Sequence, residues 1–309
     1  MRALVTGATG FIGNHLVLEL RRRGWDVVCM IRGTVQTQDS SVRCVHGDLL
    51  EPESLRFDDI QAGSVDALFH LAALLPSKDI SLDRYMQANC RATSLLLQSA
   101  DRLGIKSVVY ASSLPIIGVP KHVPITEKHS ANPQHPYHLS KLGGEMECEM
   151  ARRKQGRRIS SLRITSPYGP GMSANGVLAR FVDRALKSEN IQWLGSGSRA
   201  QNFVHVSDVV RATLLAAQTD SPGIYNVGGS ETTSMQEFAK LVARLAPGSQ
   251  SKLSAAGTRD PEEGCRWEVD LAHAATGLGY RPAVSLEQGL TEYIAWAQAG
   301  ADVQRWWKS

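Results

Sequence analysis

Residues 6–13 read Thr6-Gly7-Ala8-Thr9-Gly10-Phe11-Ile12-Gly13, TGATGFIG, directly behind the apolar run at Ala3–Val5 and in front of a helical pattern that reaches Arg23. A strand, a glycine-rich turn and a helix in that order form the opening of a βαβ unit. The glycines permit a tight turn, close backbone approach to a pyrophosphate and close packing of helix on sheet, and the helix N-terminus offers amide donors to an anion. The spacing is GxxGxxG and not the commoner GxGxxG, so the motif alone is weak and its place after the first strand carries the reading.

Working outward, short β-branched runs alternate with longer helical patterns, as in a parallel sheet with crossover helices. Strands are expected at Ala3–Thr6, Val27–Ile31, Val42–His46, Ala67–Leu71, Ser107–Ala111 and Ile159–Ile164, and helices near Gly10–Arg23, Leu82–Leu103 and Tyr137–Lys154. Beyond Ile164, loops rich in Gly, Pro and Ser separate helices near Val177–Lys187, Ser234–Leu245 and Leu286–Gln298. Two further runs, Phe203–Val206 and Tyr225–Val227, are expected to return to the large sheet. The fold class is therefore α/β: a Rossmann-type doubly wound parallel sheet over residues 1–165, rejoined by about 203–228, with a smaller interleaved α/β substrate domain over most of 166–309.

Composition excludes several classes. The 42% hydrophobic and 21% charged chain is not disordered, and its net charge of +4 is not gathered into a nucleic-acid footprint. Arg21–Arg23 and Arg152–Lys154 fall at helix ends, where they complement the helix dipole. Five scattered cysteines without a CxxC suggest a reduced cytoplasmic protein with no structural metal. No apolar run approaches the length of a membrane span, and Met1 leads directly into a strand, so neither membrane insertion nor export is expected.

With these features the chain resembles the extended short-chain dehydrogenase/reductase family, of the NAD-dependent epimerase/dehydratase type. The matching runs are TGATGFIG, GDL at Gly47–Leu49, HLAA at His70–Ala73, Asn89 in QANCRATSLLL, SSLPIIG at Ser112–Gly118, YHLSK from Tyr137, RITSPYGPG from Arg163, NFVHVSDVV from Asn202, YNVGG from Tyr225 and the late LGYRP. The resemblance implies a dinucleotide held by Gly7, Gly10, Phe11, Ile12 and Gly13, with Asp48 and Leu49 near the adenine. It also implies Leu71, Ala72 and Ala73 along the cofactor and Asn89 beside it; an ordinary buried strand end also explains much of HLAA.

Relatives that bind NAD carry an Asp at the end of the second strand; here Ile31 and Arg32 stand there. An arginine can pair with a 2′-phosphate, so NADP is expected, with NAD the alternative and Arg2 or Arg43 as possible partners in the role. The YxxxK pair, Tyr137 and Lys141, lies one helical turn apart and would act as proton donor or acceptor and as its tuner on the nicotinamide ribose. Proton exchange near neutrality requires lowering a phenol whose ordinary pKa is near 10, a change of about 4 kcal/mol. An ammonium about 5 Å away would contribute roughly 3 kcal/mol at an effective dielectric of about 20. Ser113 would hydrogen-bond the reacting oxygen, with Ser112 the neighbouring alternative. His135 and His138 are read as loop or surface residues.

Members that eliminate water carry an Asp-Glu pair after this serine, where Leu114-Pro115 stands, so a dehydratase is not expected. Two enzymatic readings remain: an NADPH-dependent reductase of a nucleotide-linked 4-keto-6-deoxy sugar, or a 4-epimerase retaining NAD. Two sugar-nucleotide positions are altered, to Ser166 and Gln201, with Arg199 slightly upstream, while Arg259 matches the remaining phosphate-binding arginine. A smaller ketone or alcohol without a diphosphate is therefore the alternative substrate. Outside the enzyme class, a cofactor-sensing protein is the alternative, disfavoured because Ser113, Tyr137 and Lys141 occur together. The helices near 82–103 and 137–154 are expected to pair across a homodimer axis, or to bury Leu95–Leu97 within one subunit.

Overall fold

A computed structural model describes residues 1–37, 39–155, 157–300 and 303–307. Among them, seven strands run parallel in the order Ile224–Val227, Arg158–Ile164, Ser107–Ser113, Ala67–His70, Arg2–Thr6, Asp26–Ile31, Val42–His46. Both faces of this sheet are covered, so its strands read as nearly continuous apolar runs. The strand order reverses between Arg2–Thr6 and Ala67–His70, which opens a crevice at their carboxyl ends.

The helices behave as their sequences dictate. The Phe11–Arg22 helix stops at Gly24, whose φ of 75° few other residues adopt. Its terminal arginines pair with Glu19, Arg22 at 2.7 Å and Arg23 at 2.7 Å, and Glu149 pairs likewise with Arg152 and Arg153. Arg21 pairs instead with Asp39, so both basic clusters are engaged mainly by carboxylates of this chain. The helix over 82–102 is continuous but widens to a π-turn at Met86–Arg91, the turn that carries Asn89.

The second half departs from the sequence expectation in one respect. Ile224–Val227 does join the large sheet, beside Arg158–Ile164. The run at Phe203–Val206 does not: Ala200–His205 pairs with Ser166–Tyr168 and Thr232–Ser234 in a separate three-stranded sheet. Arg158–Ile164 has Ser107–Ser113 on one edge and Ile224–Val227 on the other, so the run finds no place beside it and pairs with the strands that the chain brings alongside. The Val206–Gln218 helix instead packs against the large sheet. The helices Val177–Leu186, Met235–Leu245 and Leu286–Gln298 enclose a second apolar core around Phe181, Phe203, Phe238 and Tyr293. No helix of the described residues is long and apolar enough to cross a membrane.

Candidate active site

The glycine turn is held by contacts that forbid side chains. Gly7 has φ 71°, and a Cβ there would lie 2.6 Å from the Ala72 amide nitrogen; one on Gly13 would lie 2.0 Å from the Gly7 carbonyl oxygen. The Gly10 amide donates to the Gly7 carbonyl at 3.0 Å. The Phe11–Arg22 helix then begins with no side-chain cap, so its first amides, including those of Phe11 and Ile12, are left without a side-chain partner among the described residues.

Next to the turn, a buried relay fixes the loop that follows the fourth strand. Thr93 Oγ1 donates to the Asn89 carbonyl at 2.7 Å and so accepts from His70 Nε2 at 3.0 Å. His70 Nδ1 therefore accepts from Thr6 Oγ1 at 2.7 Å, and Thr6 Oγ1 accepts the Ala72 amide at 3.2 Å. Burial, with Lys141 nearby, pushes the His70 pKa down to about 3, so the ring stays neutral. Leu71, Ala72 and Ala73 are half-buried along this loop. Asn89 is turned onto the backbone instead: its amide group donates to the Leu74 carbonyl and to Ser140 Oγ, both at 3.0 Å, and its oxygen accepts the Leu74 amide at 2.7 Å. It ties the loop to the helix that carries Tyr137.

That helix, Pro136–Gln155, brings Tyr137 and Lys141 to the carboxyl ends of the strands. Lys141 is 2% exposed, with Nζ 4.1 Å above the Tyr110 ring. Tyr137 is half-buried and packs against Tyr85 and His138, ring centres 6.2 and 5.3 Å away. The expected lowering of the phenol is not what the structure gives. Burial, reinforced by Tyr85, pushes the Tyr137 pKa up to about 12, and burial pushes that of Lys141 down to about 7. Desolvation acts on both groups, disfavouring phenolate and ammonium alike, and a lysine that is half neutral near pH 7 would attract a phenolate less. His138 is no surface residue either: half-buried among aromatic rings, its pKa falls to about 4 through burial and then through His135. His135 Nδ1 accepts the Tyr137 amide at 3.1 Å and so holds the start of the helix.

Strand alternation separates the two serines. Ser112 is buried and donates to Glu145 Oε2 at 2.7 Å. Glu145 also receives Arg163 in a fully buried pair at 2.7 Å, and Arg163 donates to the Glu127 carbonyl at 2.9 Å. Glu127 Oε1 in turn accepts the Asn226 amide at 2.7 Å. Ser113 takes the opposite face and is half-buried, the last residue of its strand. Sequence reasoning did not single out Thr6, His70, Thr93 or Glu145. The legible signals were the Lys141/Glu145 spacing of one turn and a charged Arg163 inside an apolar strand.

Arg32 is exposed immediately after the second strand and makes no ion pair among the described residues. Arg2 begins the first strand and Arg43 lies near the start of the third, so both sit at the amino edge of the sheet, away from the crevice. The idea that they share the role of Arg32 is therefore withdrawn. Asp48 and Leu49 follow the third strand, and Asp48 Oδ1 accepts the Leu50 amide at 2.9 Å. In the second half, Gln201 Nε2 donates to Ser166 Oγ at 2.5 Å, so the two altered positions face one another. Arg199 is engaged by Asp260 at 2.9 Å and Glu262 at 3.2 Å, while Arg259 stays exposed in its loop.

Comparison with known proteins gives a consistent picture. A family model described as the NAD dependent epimerase/dehydratase family matches residues 3–228. A dTDP-4-dehydro-6-deoxy-D-allose reductase of Streptomyces is 30% identical over 313 residues, covering 95% of each chain. The solved UDP-glucose 4-epimerase of Thermotoga maritima with UDP-glucose superposes with TM-score 0.85 at 26% identity, over 97% of this chain and 99% of that one. DesIV, a dTDP-glucose 4,6-dehydratase of Streptomyces venezuelae with NAD bound, gives 0.82 at 26% identity over 97% of each.

Proposed function

The chain belongs to the NAD dependent epimerase/dehydratase family, enzymes of the extended short-chain type that act on nucleotide sugars, and from that premise we propose that it reduces a nucleotide-linked 4-keto-6-deoxy sugar with NADPH. One observation supports the oxidoreductase reading: the helix that carries Tyr137 and Lys141 packs against the strand that ends in Ser113, with Lys141 Nζ 4.1 Å over the Tyr110 ring of that strand. The glycine cradle fits a dinucleotide, because side chains are excluded where the diphosphate would lie and the first helix amides have no side-chain partner among the described residues. Gly7, Gly10, Phe11, Ile12 and Gly13 would hold that diphosphate, with Asp48 and Leu49 toward the adenine and Leu71–Ala73 alongside.

A nicotinamide bound there supplies the hydride. Ser113 would donate a hydrogen bond to the keto oxygen. Tyr137 would transfer its phenolic proton to the same oxygen; burial keeps that phenol protonated but makes it a weaker acid, so transfer near neutrality would require Lys141 in its charged form to lower it. Lys141 would hold the ribose hydroxyls through Nζ. Leu114, buried behind Ser113, and Pro115 offer no acid or base for eliminating water, which argues against a dehydratase.

Arg32, exposed and without an ion pair among the described residues, supports NADPH over NADH. A second reading, a 4-epimerase retaining NAD, is supported by the UDP-glucose of the Thermotoga epimerase and the NAD of DesIV. In either reading a sugar diphosphate would rest on Arg259, since Arg199 is taken by its own carboxylates and Gln201 and Ser166 contribute uncharged groups. The deciding experiment is to purify the protein without added nucleotide and identify the released cofactor by mass spectrometry. Stoichiometric NAD would overturn the reductase; an empty site or partial NADP would support it, and NADPH oxidation with nucleotide-linked keto sugars would follow. We also propose a homodimer: Leu139, Met146 and Met150 are exposed on one face of the Tyr137 helix, as is Leu82 on its neighbour. Sedimentation as a monomer at micromolar concentration would refute it.

A further inference from the structure

The carboxyl-terminal residues 303–307 follow the Leu286–Gln298 helix, which packs in the second apolar core, yet they lie against the glycine turn. Trp306 is 7% exposed within the core of the large sheet, and its indole N–H donates to the Ala8 carbonyl at 2.9 Å. Asn14, in the first turns of the following helix and 5% exposed, donates to the Gln304 carbonyl at 2.8 Å, while its Oδ1 has no partner among the described residues. Val303 packs beside Gly171, where a Cβ would meet it at 3.1 Å. These contacts border a cavity of about 190 Å³ whose lining includes Thr9, Gly10, Phe11, Asn14, Arg305 and Trp307. The Arg305 guanidinium stands 5.0 Å from the Trp307 ring and pairs with no carboxylate among the described residues.

We infer that residues 303–307 are part of the dinucleotide site, Trp306 positioning the glycine turn and Arg305 supplying a cation for the cofactor's diphosphate; this rests on the reading that the turn binds a dinucleotide. The peptide between Ala8 and Thr9 is planar and trans, so holding the Ala8 carbonyl toward the tail turns the Thr9 N–H away from it. Trp306 therefore fixes the direction of a loop amide, which an apolar ring of the same size could not do. Arg305 lines the same cavity as the uncapped helix N-terminus, where positive charge on a guanidinium and on backbone amides would act on one anion. The substrate half thereby contributes to the cofactor loop through a segment five residues long.

The test is fluorescence titration of the full-length protein with NADPH and with NADH, together with stopped-flow dissociation rates. Arg305→Ala should weaken whichever cofactor binds by about tenfold or more, the loss of a charge-assisted contact. Arg305→Lys should restore part of that loss. Trp306→Phe, which keeps the ring and removes the N–H, should speed dissociation several-fold, an effect of roughly the size of one lost hydrogen bond. Urea midpoints of the cofactor-free proteins separate a structural defect from a binding one. If the wild type binds neither cofactor, the dinucleotide reading itself falls, and the inference with it. If the wild type binds and Arg305→Ala and Trp306→Phe match it in affinity and dissociation, the inference alone is overturned.

Discussion

Lys141→Met removes an amine that the fold has buried, 2% exposed, beside the Tyr110 ring. Burial holds its pKa at about 7 against an ordinary 10.5, and Glu145 and Cys148 offset only part of that penalty. At 1.36 kcal/mol per pH unit, the cost of keeping the lysine charged in the folded state is about 5 kcal/mol. The sign follows from proton counting. Below pH 7 both folded and unfolded chains hold the proton, and the full cost is present. Between 7 and 10.5 only the unfolded chain holds it, so stability rises with pH; above 10.5 neither does and the cost is gone. Methionine fills a similar volume without charge, and the variant should be more stable by about 4 kcal/mol at pH 7 and by about 2 kcal/mol at pH 9. Loss of the contact between Nζ and the Tyr110 ring, 4.1 Å away, subtracts about 1 kcal/mol from each figure. Equilibrium urea denaturation at pH 6, 7, 8, 9 and 10 measures the difference. An advantage that stays flat across this range, or a destabilised variant at pH 7, would refute the argument that Lys141 is held desolvated at the site's expense in stability.

Other variants test separate parts of the site. Tyr137→Phe should lower kcat by about a hundredfold or more while cofactor affinity stays within about twofold, read from steady-state rates and NADPH titration; unchanged turnover would remove the proposed acid. Arg32→Asp should shift the ratio of NADPH to NADH affinity by about tenfold to a hundredfold toward NADH, and no shift would mean that Arg32 does not meet the 2′-phosphate. Glu145→Gln leaves the Arg163 guanidinium buried without its counter-charge and should cost about 3–5 kcal/mol, whereas Glu145→Leu combined with Arg163→Met should recover most of it, both measured by urea midpoint.

Much of this architecture is written in local patterns. Most strands of the large sheet are legible because a parallel strand covered on both faces is largely apolar, and the glycine turn because each of its glycines answers a contact at 3.2 Å or less. The destination of Ala200–His205 is not local: it depends on which strand edges remain open, and both edges of Arg158–Ile164 are taken. The Val206–Gln218 helix escaped notice because it leaves its strand without a loop, His205 serving as last strand residue and as cap by accepting the Ser207 amide. The spacing of Tyr137 and Lys141 was plain, but the direction of their pKa changes was not. Burial decides it, and burial comes from Tyr85, Tyr110 and His138, which the chain brings in from three different elements.

The two sides of the crevice are fastened differently, and this bears on how a cofactor would leave at each turnover. The Tyr137 helix is tied down by the buried Arg163–Glu145 pair, by Ser112 on the same carboxylate and by Asn89 on Ser140, so moving it would expose a charge pair and strand several buried polar groups. The glycine turn is tied to the carboxyl-terminal residues by two neutral hydrogen bonds, from Trp306 and to Gln304. Two such bonds contribute about 1–3 kcal/mol together, less than the cost of breaking the ion pair alone. Opening should therefore begin on the side of the turn. Amide hydrogen exchange checks this directly: amides of 303–307 and of 8–12 should exchange at least tenfold faster than those of 141–148, and the contrast should narrow when NADPH is added. Equal protection on both sides would mean that the carboxyl-terminal segment is as firmly held as the Tyr137 helix, and release would then require a larger, shared opening.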